Sequence, residues 1–89
     1  MPDIRQLERE CKAIGQRRRI RIIAFLKKQH GATVSQIAKH AGCTLQTASQ
    51  HLRILREVGI VIDRKRGLNV LYVLSTNMGV MARTLAKEL

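Results

Sequence analysis

The sequence predicts a mainly α fold carrying a single β-hairpin, in the order helix, helix, helix, helix, hairpin, helix. Apolar residues recur three and four apart along most of the chain, and the period shortens to that of strands only between Ile60 and Leu74. With one Phe, one Tyr and no Trp among 89 residues, the interior must be built from Ile, Leu, Val and Ala, which suits helices packed on helices. A chain of this length is one domain, 1–89, and leaves much of its apolar surface only partly buried, so a homodimer interface is a natural supplement.

The first helix begins near Pro2 and Asp3 and places Ile4, Leu7, Cys11 and Ile14 on one stripe before Gly15 breaks it. Arg17 to Lys28 carries Ile20, Ile22, Ile23, Phe25 and Leu26 among basic residues, a wide apolar face for a central helix that ends at Gln29-His30-Gly31-Ala32. Thr33 caps a short third helix with Gln36 as its reciprocal partner, Val34, Ile37, Ala38 and Ala41 forming the buried side and Gly42 the stop. Thr44 caps a fourth, in which Ala48, Leu52 and Leu55 recur down to about Val58, with Gly59 beyond. Ile60 to Lys65 and Val70 to Leu74 are rich in β-branched residues and are joined by a short basic connection containing Gly67, the pattern of a hairpin. Helical spacing returns from Asn77 to Leu89 with Met78, Met81 or Ala82, Leu85 and Leu89. Two short helices joined by Ala41-Gly42-Cys43 make a helix-turn-helix, and the hairpin after it makes the arrangement a winged helix-turn-helix.

Seventeen Lys and Arg stand against six Asp and Glu, a net charge of +11 that attracts polyanions, either nucleic acid or an anionic membrane surface. No stretch reaches the length of a membrane span, and the start of the chain lacks the basic-then-apolar order of a secretory signal; the expected location is the cytoplasm, at the nucleoid. Cys11 and Cys43 are too few for a disulfide framework, and the sequence calls for no cofactor.

With Ala48, Leu52 and Leu55 inward, the fourth helix turns Gln46, Thr47, Ser49, Gln50 and Arg53 outward. These are types that read a major groove: Gln pairs with adenine N6 and N7, hydroxyls serve donor or acceptor edges, and Arg reaches guanine or phosphate. Carboxylates are absent from Lys12 through Arg56. At the hairpin tip Arg64, Lys65 and Arg66 form a rigid cationic projection that can straddle a minor groove or grip flanking phosphates; the alternative is an ordinary charged turn. The arginines of Arg17-Arg18-Arg19-Ile20-Arg21 cannot all face one way, so one or two are expected on DNA and the others in solvent or paired with Glu8 or Glu10.

Three segments, IGQRRRIRIIAFL, TVSQIAKHAGCTLQTASQHLRILREVGIV and DRKRGLNVLYVL, resemble the arsenic-repressor (ArsR/SmtB) family of bacterial winged-helix regulators, over about two-thirds of the chain. The middle segment is the most specific, because TASQHLRILREVGIV looks like the family's recognition helix and the start of its wing. The resemblance implies a homodimer whose first and last helices pack together, here through Ile4, Leu7 and Cys11 with Met78, Met81 and Leu85; the same stripes packing within one subunit is the alternative. It implies Thr44 as N-cap, Gln46, Thr47, Ser49 and Gln50 as the base-facing set, Arg53, Arg64, Lys65 and Arg66 as the phosphate set, and Arg19 as a basic position of the second helix. Family members that sense metals do so through cysteines before the recognition helix or Asp and His on the last helix. Thr33 to Ile37 holds no Cys, and Asn77 to Leu89 no His or Asp, so neither metal site carries over. His40 and Cys43, three apart, are two ligands where a structural zinc wants four, and read as a surface histidine and a thiol at the turn. His51 reads as a hydrogen-bonded boundary residue.

The function expected is a sequence-specific regulator of double-stranded DNA, a homodimeric repressor on a near-palindromic operator. Alternatives are an architectural protein with little sequence preference and a winged helix that docks an acidic protein. An enzyme is the least expected, since no acidic pair, nucleophile–base set or phosphate-cradling loop can be assembled from three His and six acids.

Overall fold

A computed structural model describes residues 3–89, which form α1 (Ile4–Ile14), α2 (Arg17–Gln29), α3 (Val34–Ala41), α4 (Leu45–Glu57), β1 (Val61–Arg66), β2 (Asn69–Leu74) and α5 (Val80–Glu88). The order is the expected one. Pro2, expected to open the first helix, lies outside the described residues.

Local chemistry sets the boundaries. Asp3 caps α1 by accepting from Arg5 N at 3.0 Å. Thr33 and Gln36 form the reciprocal capping box of α3, with Thr33 N donating to Gln36 Oε1 at 2.9 Å and Gln36 N to Thr33 Oγ1 at 3.2 Å. Gly42 closes α3 at φ 68°, a left-handed conformation that glycine adopts without a Cβ penalty, and this turn fixes how α4 leaves α3.

The core is aliphatic, as expected: Ile22, Ile23 and Leu26 of α2 meet Ile37 of α3, Leu52 and Leu55 of α4, and Ile60 and Val61 leading into the hairpin. Phe25 packs at its edge and stacks on His40, ring centroids 4.2 Å apart. β1 and β2 are antiparallel, Val61 opposite Leu74 and Arg66 opposite Asn69, and Ala32 adds a short bridge to Tyr72 on the other edge of β2. From Ile62 to Val70 every residue is exposed, so the hairpin projects from the body as a wing.

Within one chain the terminal helices bury residues other than those expected at the dimer interface, apart from Met78. On α1 the fully buried residues are Glu10 and Ala13, whereas Ile4 is 81% exposed and Cys11 is also on the surface. The last helix starts at Val80 rather than Asn77, and Met78, expected at a dimer interface, is only 9% exposed and belongs to the chain's own core. The physical reason lies in a contact that periodicity does not register: the Glu10 side chain accepts from Ala82 N at 2.6 Å. Gly79 has no side chain with which to cap α5, and the carboxylate of α1 performs that task, drawing α5 onto α1.

Candidate nucleic-acid interface

The outer face of α4 follows from its cap and its stripe. Thr44 Oγ1 accepts from Thr47 N and donates to Thr47 Oγ1, both at 3.1 Å, which starts the helix and occupies the two threonines with each other. Ala48, Leu52 and Leu55 are buried beneath. Gln46, Ser49, Gln50 and Arg53 are exposed and together line one shallow depression, with no hydrogen bond from their side chains to any other described residue. Thr47, expected among the base-facing residues, is half-buried and its hydroxyl is already engaged.

The wing divides its cations between two faces. Residues two apart on a strand share a face, and directly opposed residues do too, so Val61, Asp63 and Lys65 share one with Leu74, Tyr72 and Val70, while Ile62, Arg64 and Arg66 share the other with Val73, Leu71 and Asn69. The first face looks toward the core and α4: Val61 is buried, and Asp63 Oδ1 lies 3.7 Å from Arg56 Nη1 at the end of α4. That ion pair is half-exposed, so it orients the wing more than it stabilises the fold. Arg64 on the second face neighbours Lys27 and His30 at the end of α2. The three cations expected at the tip are all exposed, but they flank the hairpin instead of forming a single patch.

Arg19 is placed differently from the other cations. Its Nε donates to Ala13 O at 2.6 Å and its Nη2 to Lys12 O at 3.2 Å, closing the C-terminal end of α1, and its Nη1 lies 3.3 Å from His51 Nδ1 on α4. A guanidinium only donates, so Nδ1 is the unprotonated nitrogen of a neutral imidazole. Partial burial holds His51 below its ordinary pKa, with the charges of Arg19 and Arg18 acting in the same direction; burial also lowers Arg19 itself. Arg19 therefore links the two helices, and the resemblance alone did not indicate that use. Of the two alternatives for the remaining α2 arginines, pairing with Glu8 or Glu10 is not the one seen: Glu8 lies 3.9 Å from Lys12, and Glu10 is committed to Ala82 N.

Sequence reasoning missed the role of Glu10 as a cap for α5. The available indication was an acid three residues from Leu7 and three from Ala13 on α1, in a chain whose last helix opens with a glycine. For metals, among the described residues no group of three or more His, Cys, Asp or Glu is placed to hold an ion.

A helix-turn-helix with its polar helix face uncovered, followed by a basic two-stranded projection, defines a winged helix-turn-helix protein. Residues 14–64 match the helix-turn-helix domain family. Among solved structures, the chain is 32% identical to the homodimeric winged helix-turn-helix DNA-binding domain of a possible ArsR-family transcriptional regulator from Mycobacterium bovis, covering 96% of this chain and 76% of that one with a TM-score of 0.82. It is 27% identical to the transcriptional regulator HlyU from Vibrio vulnificus CMCP6, over 92% and 81% of the two chains with a TM-score of 0.76. A possible transcriptional regulator for arsenical resistance is also 27% identical, over 86% and 75%, with a TM-score of 0.69. The chain belongs to the ArsR family of winged helix-turn-helix transcriptional regulators. No described helix is long and apolar enough to cross a membrane.

Proposed function

We propose that this protein is a homodimeric, sequence-specific regulator of double-stranded DNA that represses from a near-palindromic operator and does so without the family's usual metal sites. The observation that carries the reading is the uncovered set Gln46, Ser49, Gln50 and Arg53 on α4, polar groups that have no hydrogen-bond partner among the described residues and match the donor and acceptor edges of a major groove. Binding to phosphates alone does not need such a set. Arg64, Lys65 and Arg66 supply the phosphate contacts beside it.

Dimerisation rests on the terminal helices. α1 and α5 pack on each other, and Ile4, Val80, Met81 and Leu89 remain exposed on them, with Leu7 and Leu85 half-buried alongside. A second copy covering these residues removes them from water and sets two α4 helices at half-sites about one helical turn apart. The Mycobacterium bovis neighbour is itself a homodimer.

The test is selection of bound duplexes from a random pool, followed by titration of the selected sequence against scrambled DNA at fixed physiological salt. A two-fold symmetric motif preferred by roughly a thousandfold or more is the expected result. Tight binding without a motif would replace the reading with an architectural protein, which the charge of +11 favours by itself. No binding would point to an acidic protein partner.

A further inference from the structure

We propose that Leu68, at the tip of the wing, is an apolar wedge that enters the minor groove and bends the bound duplex; the inference rests on the DNA-binding reading above. The last pair of the hairpin is Arg66 with Asn69, so Gly67 and Leu68 alone make the loop. Gly67 has φ 62° while Leu68 stays out of the left-handed region, the pattern of a two-residue turn that requires glycine at its first central position and leaves the second free. The turn therefore makes no demand for leucine, and tips of this kind ordinarily carry Asn, Asp, Ser or Gly. Yet Leu68 is 104% exposed, with no other described residue covering it.

What surrounds it identifies the occupant. Lys65 stands on one face of the ribbon and Arg64 and Arg66 on the other. Cations on both sides of an advancing tip match the two phosphate strands that border a minor groove about 6 Å wide, and the residue between them is then delivered to the base edges. A leucine there reads no donor or acceptor. It displaces water and, pressed between base steps, unstacks them and kinks the duplex toward the major groove. Sequence preference then arises at the step under the wing through its deformability, flexible pyrimidine–purine steps being bound best.

The experiment uses the full chain and the duplex selected from the random pool, labelled with a donor and an acceptor dye at its two ends. The wild-type protein is expected to shorten the end-to-end distance. Leu68→Ser is expected to abolish most of that shortening and weaken binding about 10- to 150-fold, the scale of one apolar side chain returned to water, with an unchanged urea midpoint because the residue is fully exposed. Replacing a flexible TA step under the wing by AA should weaken the wild type more than Leu68→Ser. Equal affinity and equal bend in the two proteins would overturn the proposal, and so would weaker binding with the bend retained, which would make Leu68 a contact and not a wedge. If the wild type binds no duplex at all, the regulator reading falls together with this one.

Discussion

The carboxylate of Glu10 occupies the space that a side chain on Gly79 would fill. Glu10 is 1% exposed and accepts from Ala82 N, so an acid from the first helix serves as the N-terminal cap of the last. The arrangement satisfies a backbone donor that glycine cannot reach and places negative charge at the positive end of α5.

An unusual capping rule follows. Serine is ordinarily a better N-cap than glycine, but Gly79→Ser meets the Glu10 carboxylate, which can yield only by giving up Ala82 N. Gly79→Ser should therefore destabilise the protein, Glu10→Ala should cost about 1–3 kcal/mol through the lost cap, and the two together should cost less than their sum because the serine then finds the space and the donor free. Urea unfolding of the four proteins measures the coupling; strict additivity would refute the shared site.

Arg19 and Arg53 separate folding from binding. Arg19→Ala removes the donors that close α1 and should lower stability by about 1–3 kcal/mol, and Arg19→Lys should restore little of it because an ammonium does not present the guanidinium fork. Arg53→Ala, at an exposed position with no partner among the described residues, should leave the urea midpoint unchanged and weaken DNA binding.

His51 makes stability depend on pH. Its native pKa is lowered, first by burial and then by Arg19 and Arg18, so the unfolded state binds the proton more readily. The contribution is fully present above the unfolded value of about 6.5 and is lost as pH falls from there through the native value. Unfolding midpoints should drop below pH 6.5, and His51→Gln should flatten that drop. An NMR titration placing the His51 pKa above 6.5 would contradict the geometry.

Base readout and phosphate contact should respond differently to mutation. Gln50→Ala is expected to cost about 1–3 kcal/mol on the selected duplex with less effect on scrambled DNA, whereas Lys65→Ala should weaken both similarly and reduce the salt slope by about one. Equal losses for both variants on both duplexes would refute the division.

Met81 and Met78 should also part company. Met81→Glu, on the exposed face of α5, is expected to leave a folded monomer by sedimentation, while Met78→Ala should cost about 2–5 kcal/mol of stability as a core truncation. A dimer that survives Met81→Glu would place the interface elsewhere.

Most of the architecture was legible along the chain because its causes are local. The Thr33–Gln36 box, the left-handed Gly42, the Thr44 cap, the Ala48, Leu52 and Leu55 stripe and the change of period after Gly59 each act within a few residues, and each stands where the spacing put it. The outward turn of Gln46, Ser49, Gln50 and Arg53 follows from that stripe by helical geometry alone.

Tertiary structure decided whatever depends on residues far apart in sequence. Glu10 and Ala82 are 72 positions apart, and Arg19 and His51 are 32 apart; only packing shows that the first acid is a cap and that one arginine of four is committed to the fold. The same holds for Met78, whose helical spacing suggested an interface but whose segment turns inward before α5 begins. Periodicity reports which side of an element is apolar. What covers that side, and which polar group a distant backbone donor recruits, is settled only when the helices close on one another.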